Sequence, residues 1–246
     1  MSERRAKRVL VNRHLFTQTS VDSGSLTMLG VVIHRFPEPG EYMGVVERGA
    51  EARTFRLRVD ESSPEMQANV DLATLGGGHS HSDDCGCKNK ETGADPTFVV
   101  NPAGYVVFHV SNGPGGYVVR VGRLERPEAA VFESTQLEGD DLFAVTLIRP
   151  GRYAVRNVAG KARGEIVVSY PKIGKQPHRP DEPVEIVCTE KVFRPARIRI
   201  QAAQGQLYRF RTPSRIAIEL VAPDDGPRST RPKGPGRAAA KTRRKA

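Results

Sequence analysis

The chain has 246 residues, enough for one large or two small domains, yet only 38% of them are hydrophobic, which is little for one compact core. Its formal charge of +10 favours acidic partners: nucleic acid, an anionic protein or an anionic membrane face. No run approaches the ~20 apolar residues of a membrane helix, and three cysteines, two of them one residue apart, do not make a disulfide framework.

The chain starts with "SERRAKR" and "VLVNRHLF", a basic stretch without the apolar centre of a secretory signal, so a reducing, cytoplasmic location is expected. Alternating apolar residues then predict strands over 28–36, 42–47 and 54–59. Residues 63–75 have helical character, with Ser63 as the opening residue and Pro64 at the first position. Residues 76–96 are Gly-, Ser-, Asp- and Lys-rich and break the pattern as a linker. Strands are predicted again over 105–111, 116–122, 142–148, 153–159 and 164–170, with "SNGPGGY" (111–117) as a hairpin turn. After a Pro-rich break at 171–183, strands follow over 184–190, 196–202, 207–212 and 215–221. The remainder, 222–246, is predicted to be a disordered basic tail. The fold class is therefore all-β, two small sandwiches with flexible basic ends.

Two patterns recur. "FPEPGEYMGVVERGAEARTFRLRV" (36–59) matches "LIRPGRYAVRNVAGKARGEIVVSY" (147–170), aligning Pro39, Gly40 and Tyr42 with Pro150, Gly151 and Tyr153. Pro-Gly makes the turn into a strand, and the tyrosine two residues on buries its ring while its hydroxyl bonds backbone. "TFVVNPAGYVVFHVSN" (97–112) likewise matches "KVFRPARIRIQAAQGQLYRFRT" (191–212). This order of motifs resembles the cupredoxin fold, a Greek-key β-sandwich, and shares its corners with immunoglobulin-like domains. The resemblance implies one sandwich over 97–170. A second would be split between 9–60 and 184–221 and closed by both chain ends, with 61–96 and 171–183 as linkers. The blue-copper ligands of that family are missing here. Tyr153 is followed by Ala154, Val155, Arg156 and Asn157, and Lys161, Ala162 and Arg163 stand where a methionine is expected.

The densest chemistry lies in "GGGHSHSDDCGC", where His79, His81, Cys85 and Cys87 fall within nine positions. Imidazole and thiolate suit Zn(II), Cu(I) or Ni(II), and the glycines let backbone wrap an ion. Structural zinc sites use two well-separated ligand pairs, so an exposed linker is the competing reading. The tail offers Arg228, Arg231, Lys233, Arg237, Lys241, Arg243, Arg244 and Lys245 as phosphate-binding groups for nucleic acid or another polyanion. Cys188, in "EIVCTE", reads as a buried inert thiol. His109 reads as half-exposed, His14, His34 and His178 as isolated, and Asp140 and Asp141 as a turn. No paired carboxylates, nucleophile elbow or phosphate loop is present. The expected function is a non-enzymatic binding or structural subunit of a protein assembly, with a protein partner or a second copy of itself. Soft-metal delivery through residues 79–87 and nucleic-acid association through the tails are the alternatives.

Overall fold

Along most of the chain every second side chain is buried. The computed structural model, which describes residues 14–75, 95–171 and 180–226, shows these stretches as strands. One helical turn, α1 (His14–Thr17), precedes β1 (Ser20–Asp22), β2 (Gly30–His34), β3 (Gly40–Arg48), β4 (Glu51–Val59) and β5 (Gln67–Asp71). A second single turn, α2 (Leu72–Leu75), is followed by β6 (Thr97–Val100), β7 (Tyr105–His109), β8 (Val118–Arg123) and β9 (Arg126–Glu133). Then come β10 (Leu142–Thr146), β11 (Gly151–Asn157), β12 (Arg163–Ser169), β13 (Val184–Cys188), β14 (Phe193–Arg194), β15 (Arg197–Gln201), β16 (Gly205–Phe210) and β17 (Ile216–Pro223).

The strands form three sheets. A central sheet runs β14-β13-β16-β10-β2-β7-β5, one outer sheet runs β6-β4-β3-β8-β9, and the other runs β15-β12-β11-β17-β1. Both outer sheets pack on the same face of the central one. Val32 of β2 and Phe143 of β10 are cross-strand partners, so they point to one side. On that side Phe108 of β7 stacks on Phe132 of β9 at 5.1 Å and meets Phe55 of β4 at 6.2 Å. Across the seam, a Cβ added to Gly30 would meet both Phe143 and Val21 of β1. The result is two layers, with the core between them.

The chain lays down one topology twice. In the first pass β2 pairs with β7 antiparallel and β7 with β5 parallel; in the second β10 pairs with β16 and β16 with β13 in the same senses. In the outer layer β8-β3-β4-β6 is matched by β17-β11-β12-β15, each ending in a parallel pair. The equivalent strands β2 and β10 pair antiparallel, which joins the two repeats through one continuous sheet. The Pro-Gly-x-Tyr motifs behave alike: Tyr42 donates to the Glu38 carbonyl and Tyr153 to the Arg149 carbonyl, each at 2.7 Å. Gly40 and Gly151 both have φ of 148°, a conformation open to glycine and costly for other residues.

Four expectations are corrected. Residues 36–59 do not close a sandwich with 184–221; β3 and β4 pair with β6 and β8, which follow them in the chain. Likewise 97–170 is not one unit, since β6 to β9 belong to the first repeat and β10 to β12 to the second. A recurring pattern reveals equivalent segments without saying where a unit begins, and the expected boundary falls half a repeat out of phase. Among the described residues only β1 bridges the chain ends, pairing with β17 in the place that β9 takes beside β8. The helix expected over 63–75 is strand β5 followed by the single turn α2. Ala68 and Val70 are buried at period two, and pairing with β7 overrides local propensity. The glycine-rich stretch 111–117 is no hairpin, because β7 and β8 lie in different sheets and it crosses between the layers.

Candidate functional site

His79, His81, Cys85 and Cys87 lie outside the described residues, as do Arg228, Arg231, Lys233, Arg237, Lys241, Arg243, Arg244 and Lys245. Among the described residues no group of three or more His, Cys, Asp or Glu side chains is placed to hold a metal ion. Of the expected tail, residues 222–226 are described: Gly226 lies against the ring of Tyr170, whose hydroxyl donates to the Asp224 carbonyl at 2.8 Å.

Buried polar groups mostly serve the fold. Cys188 is fully buried, its Sγ is 3.5 Å from Ser214 Oγ, and burial pushes its thiol pKa up, which suppresses the reactive thiolate. Asn157 Nδ2 donates to Ser214 Oγ at 2.9 Å while its Oδ1 accepts the Ala159 and Arg215 N–H groups at 3.1 Å, tying the end of β11 to the start of β17. Burial raises Tyr42 and Tyr153 as well; both hydroxyls already donate to backbone. Among these tyrosines Tyr208 is the exception, and Gln206 Oε1 and Thr212 Oγ1 share its lack of a partner. The Tyr208 hydroxyl is buried with no hydrogen-bond partner, and burial drives its pKa far upward.

One polar pair is invisible in the sequence. His34 Nδ1 and Asp141 Oδ1 are 2.5 Å apart although 107 positions separate them. Register explains the meeting: Ile33 and Leu142 are partners in the β2–β10 ladder, so the residues just beyond them face each other at the seam. The His34 ring sits 4.4 Å from Phe36 and 4.6 Å from Phe132, and Asp141 Oδ2 accepts the Glu138 N–H at 2.9 Å. Among the described residues no hydroxyl or thiol is bonded to the pair. Rings and backbone hold it as a clasp between the repeats.

Two surface features are continuous enough to bind something. A cleft of about 410 Å³ opens between the β3–β4 turn, α2 and the 112–117 crossing, lined in part by Arg48, Glu51, Arg53, Leu72 and Tyr117. Arg48 is immobilised there, donating to the Tyr117 hydroxyl at 3.1 Å with its guanidinium 5.4 Å from that ring. The larger feature is the outer face of the central sheet. The alternation that buries Val32, Phe108, Phe143 and Tyr208 turns Ile33, Val107 and Leu142 outward in one row and Val31, Ala144 and Leu207 in the next. These six are half-buried, and their own neighbours in the sheet supply the cover. Polar residues flank them: Glu185 and Arg209, joined at 2.6 Å, on one side, and His109 and Asp71 on the other. His109 is half-buried, as its place in the sequence predicted.

Comparisons with protein-family models, with curated proteins and with solved structures find no match to this chain.

Proposed function

We propose that the protein is a non-enzymatic binding and structural subunit that associates with a second copy of itself through the outer face of the central sheet. The observation that carries this reading is the contiguous apolar patch of Val31, Ile33, Val107, Leu142, Ala144 and Leu207, on the only face of that sheet with no layer packed on it among the described residues. Contiguous apolar surface rimmed by polar groups marks interaction sites. From β13 to β5 the sheet covers five strand spacings of ~4.8 Å, and five residues along each strand cover ~17 Å. That area, apolar patch and polar flanks together, belongs to the low end of protein interfaces and suits weak, reversible association.

Three features favour a second copy as the occupant. The repeats place equivalent strands β2 and β10 at the centre of the patch, so a half-turn about its normal sets apolar residue on apolar residue: Ile33 on Ala144, Val31 on Leu142 and Val107 on Leu207. Its flanking charges include the paired Arg209 and Glu185, which limits like-charge repulsion between copies. The His34–Asp141 clasp fixes the seam beneath, so the patch is presented preformed. The cupredoxin-like Greek-key kinship belongs to the same reading, as a sandwich scaffold without copper ligands, and the two Pro-Gly-x-Tyr corners support it.

Sedimentation velocity of the full chain across a wide concentration range tests the proposal. The sedimentation coefficient is expected to rise with concentration in the wild type and to stay at the monomer value in an Ile33→Asp, Leu207→Asp variant with an unchanged melting temperature. A wild type that remains monomeric throughout would sink it.

A further inference from the structure

The outer face of the β15-β12-β11-β17-β1 sheet carries a second, independent surface. Arg152 and Arg156 on β11, Arg163 on β12, and Arg197 and Arg199 on β15 are all exposed, and each alternates with residues that point into the core. The carboxylates on this face are fewer. Glu219 takes Arg156 at 3.0 Å, Glu165 lies 4.0 Å from Arg152, and Asp22 at the β1 edge takes Arg215 at 2.8 Å. Arg163 donates to backbone carbonyls at Ala162, Gly160 and Asn157 and keeps further donors free. Arg163, Arg197 and Arg199 form no ion pair among the described residues.

Register sorts these groups into rows. Asp22, Ala217, Arg156 and Arg163 make one row, in which Arg215 neutralises Asp22 at the β1 edge. Arg152, Val167 and Arg199 make another, four residues further along the strands. The row midway between them holds Glu219, Ala154, Glu165 and Arg197. Two arginine rows therefore lie ~13 Å apart, with both glutamates confined to the strip between them. That spacing is close to the ~12 Å major groove of B-form DNA, whose phosphate ridges would lie along the arginine rows while the glutamates stand over the groove. All five cations outside the Arg215–Asp22 pair are arginines, whose planar fork fits phosphate. The face presents no aromatic side chain on which an unpaired base could stack, which separates it from single-strand binders.

We infer that this face binds double-stranded DNA through its phosphates, independently of base sequence and of self-association on the central sheet. Binding rests on phosphates alone, so affinity falls steeply with salt. The bound duplex lies with its major groove over Glu165 and Glu219.

The test is fluorescence anisotropy of the full-length protein with a labelled DNA duplex of mixed sequence over a range of salt, beside an Arg152→Gln, Arg163→Gln, Arg199→Gln variant. With three phosphate-binding cations removed, the slope of log affinity against log salt is expected to become shallower by about 2.7, with more than a tenfold loss of affinity at moderate salt. A Glu165→Gln, Glu219→Gln variant should bind the duplex more tightly, and this result stands even if the arginine variant fails to fold. Wild-type slope and affinity in the arginine variant, with its melting temperature intact, would assign all binding to the basic tail and overturn the inference. Equal or tighter binding of a single strand, or of polyglutamate, would overturn it in favour of a non-groove or acidic-protein surface.

Discussion

The two repeats set the same strands in the same order but fill the space between the layers differently. In the first, Gly44 of β3 lies under the ring of Phe55 of β4, and a Cβ at Gly44 would overlap that ring. In the second, the same ladder position pairs Val155 of β11 with Gly164 of β12, a medium side chain on the opposite strand in place of one large ring. The seam differs too: Val32 faces Phe108 in the first repeat, and Phe143 faces Tyr208 in the second. Pairing and corners fix the topology, while interior volume can be shared out in more than one way provided the sum fits. The surfaces diverge further. The outer face of β6-β4-β3-β8-β9 pairs Arg58 with Glu41 and Asp60 and Arg120 with Glu47 and Glu133 and leaves Arg56 without an ion pair among the described residues, whereas the equivalent face of the second repeat leaves three arginines so.

That comparison can be broken most forcefully in the core. Phe108→Ala should lower stability by about 3–5 kcal/mol in urea unfolding. It should do so in one transition, because the β2–β10 ladder joins the repeats; two separate transitions would show that they fold apart. Gly44→Val, installing the second repeat's residue alone, should lower stability by about 1–3 kcal/mol through overpacking against Phe55. Adding Phe55→Ile should relieve the overlap and recover most of that loss, and a double-mutant cycle without positive coupling would deny that the two side chains compete for one space.

The tyrosines sharpen the comparison at smaller scale. Tyr42→Phe and Tyr153→Phe each remove one bond to a corner carbonyl and should each cost about 1 kcal/mol. Tyr208→Phe removes a buried hydroxyl with no partner and gives the second repeat the first repeat's residue, so it should be neutral or stabilising in the same measurement. A clear loss there would mean that the hydroxyl has a partner the fold does not display.

The smallest effect concerns a difference in the turns after β4 and β12. Asp60 carries hydrogen bonds from the Ser62 hydroxyl and N–H, helped by nearby Arg58, and these hold its carboxyl below the usual range; Ser169 stands at the matching register. Its folded pKa lies below its unfolded one. Its contribution to stability is therefore present above about pH 4 and lost as pH falls through the folded value. Ser62→Ala should move the Asp60 titration upward in an NMR experiment; an unmoved titration would remove Ser62 as the cause.

Much of the fold was written locally. Alternation marked twelve of the strands, and Pro39-Gly40 with Tyr42 and Pro150-Gly151 with Tyr153 marked the repeat, because a corner needs those residue types wherever it occurs. Strand β9 escaped notice because most of its residues, Arg126 to Val131, are exposed and show no apolar period. Strand β5 looked helical because Pro64 and Glu65 imitate a helix start, while its real partner, β7, lies beyond the long segment 76–94. The surfaces proposed here were still less legible. Leu207 and Ile33 read as ordinary strand residues until the sheet showed which face they share, and Arg163 and Arg199 become neighbours only through the β11–β12–β15 register.

By itself, then, the sequence determined that the chain is built of β-strands and that it repeats a motif. Composition and period-two burial are local properties, and each strand carries its own. Tertiary structure alone decided that the first half of the chain pairs with itself before the second begins, and that β1 joins the far repeat. It also decided that His34 meets Asp141 and that one sheet face is apolar while another is lined with arginine. Those outcomes depend on which strand lies beside which, and pairing is chosen by the whole core at once.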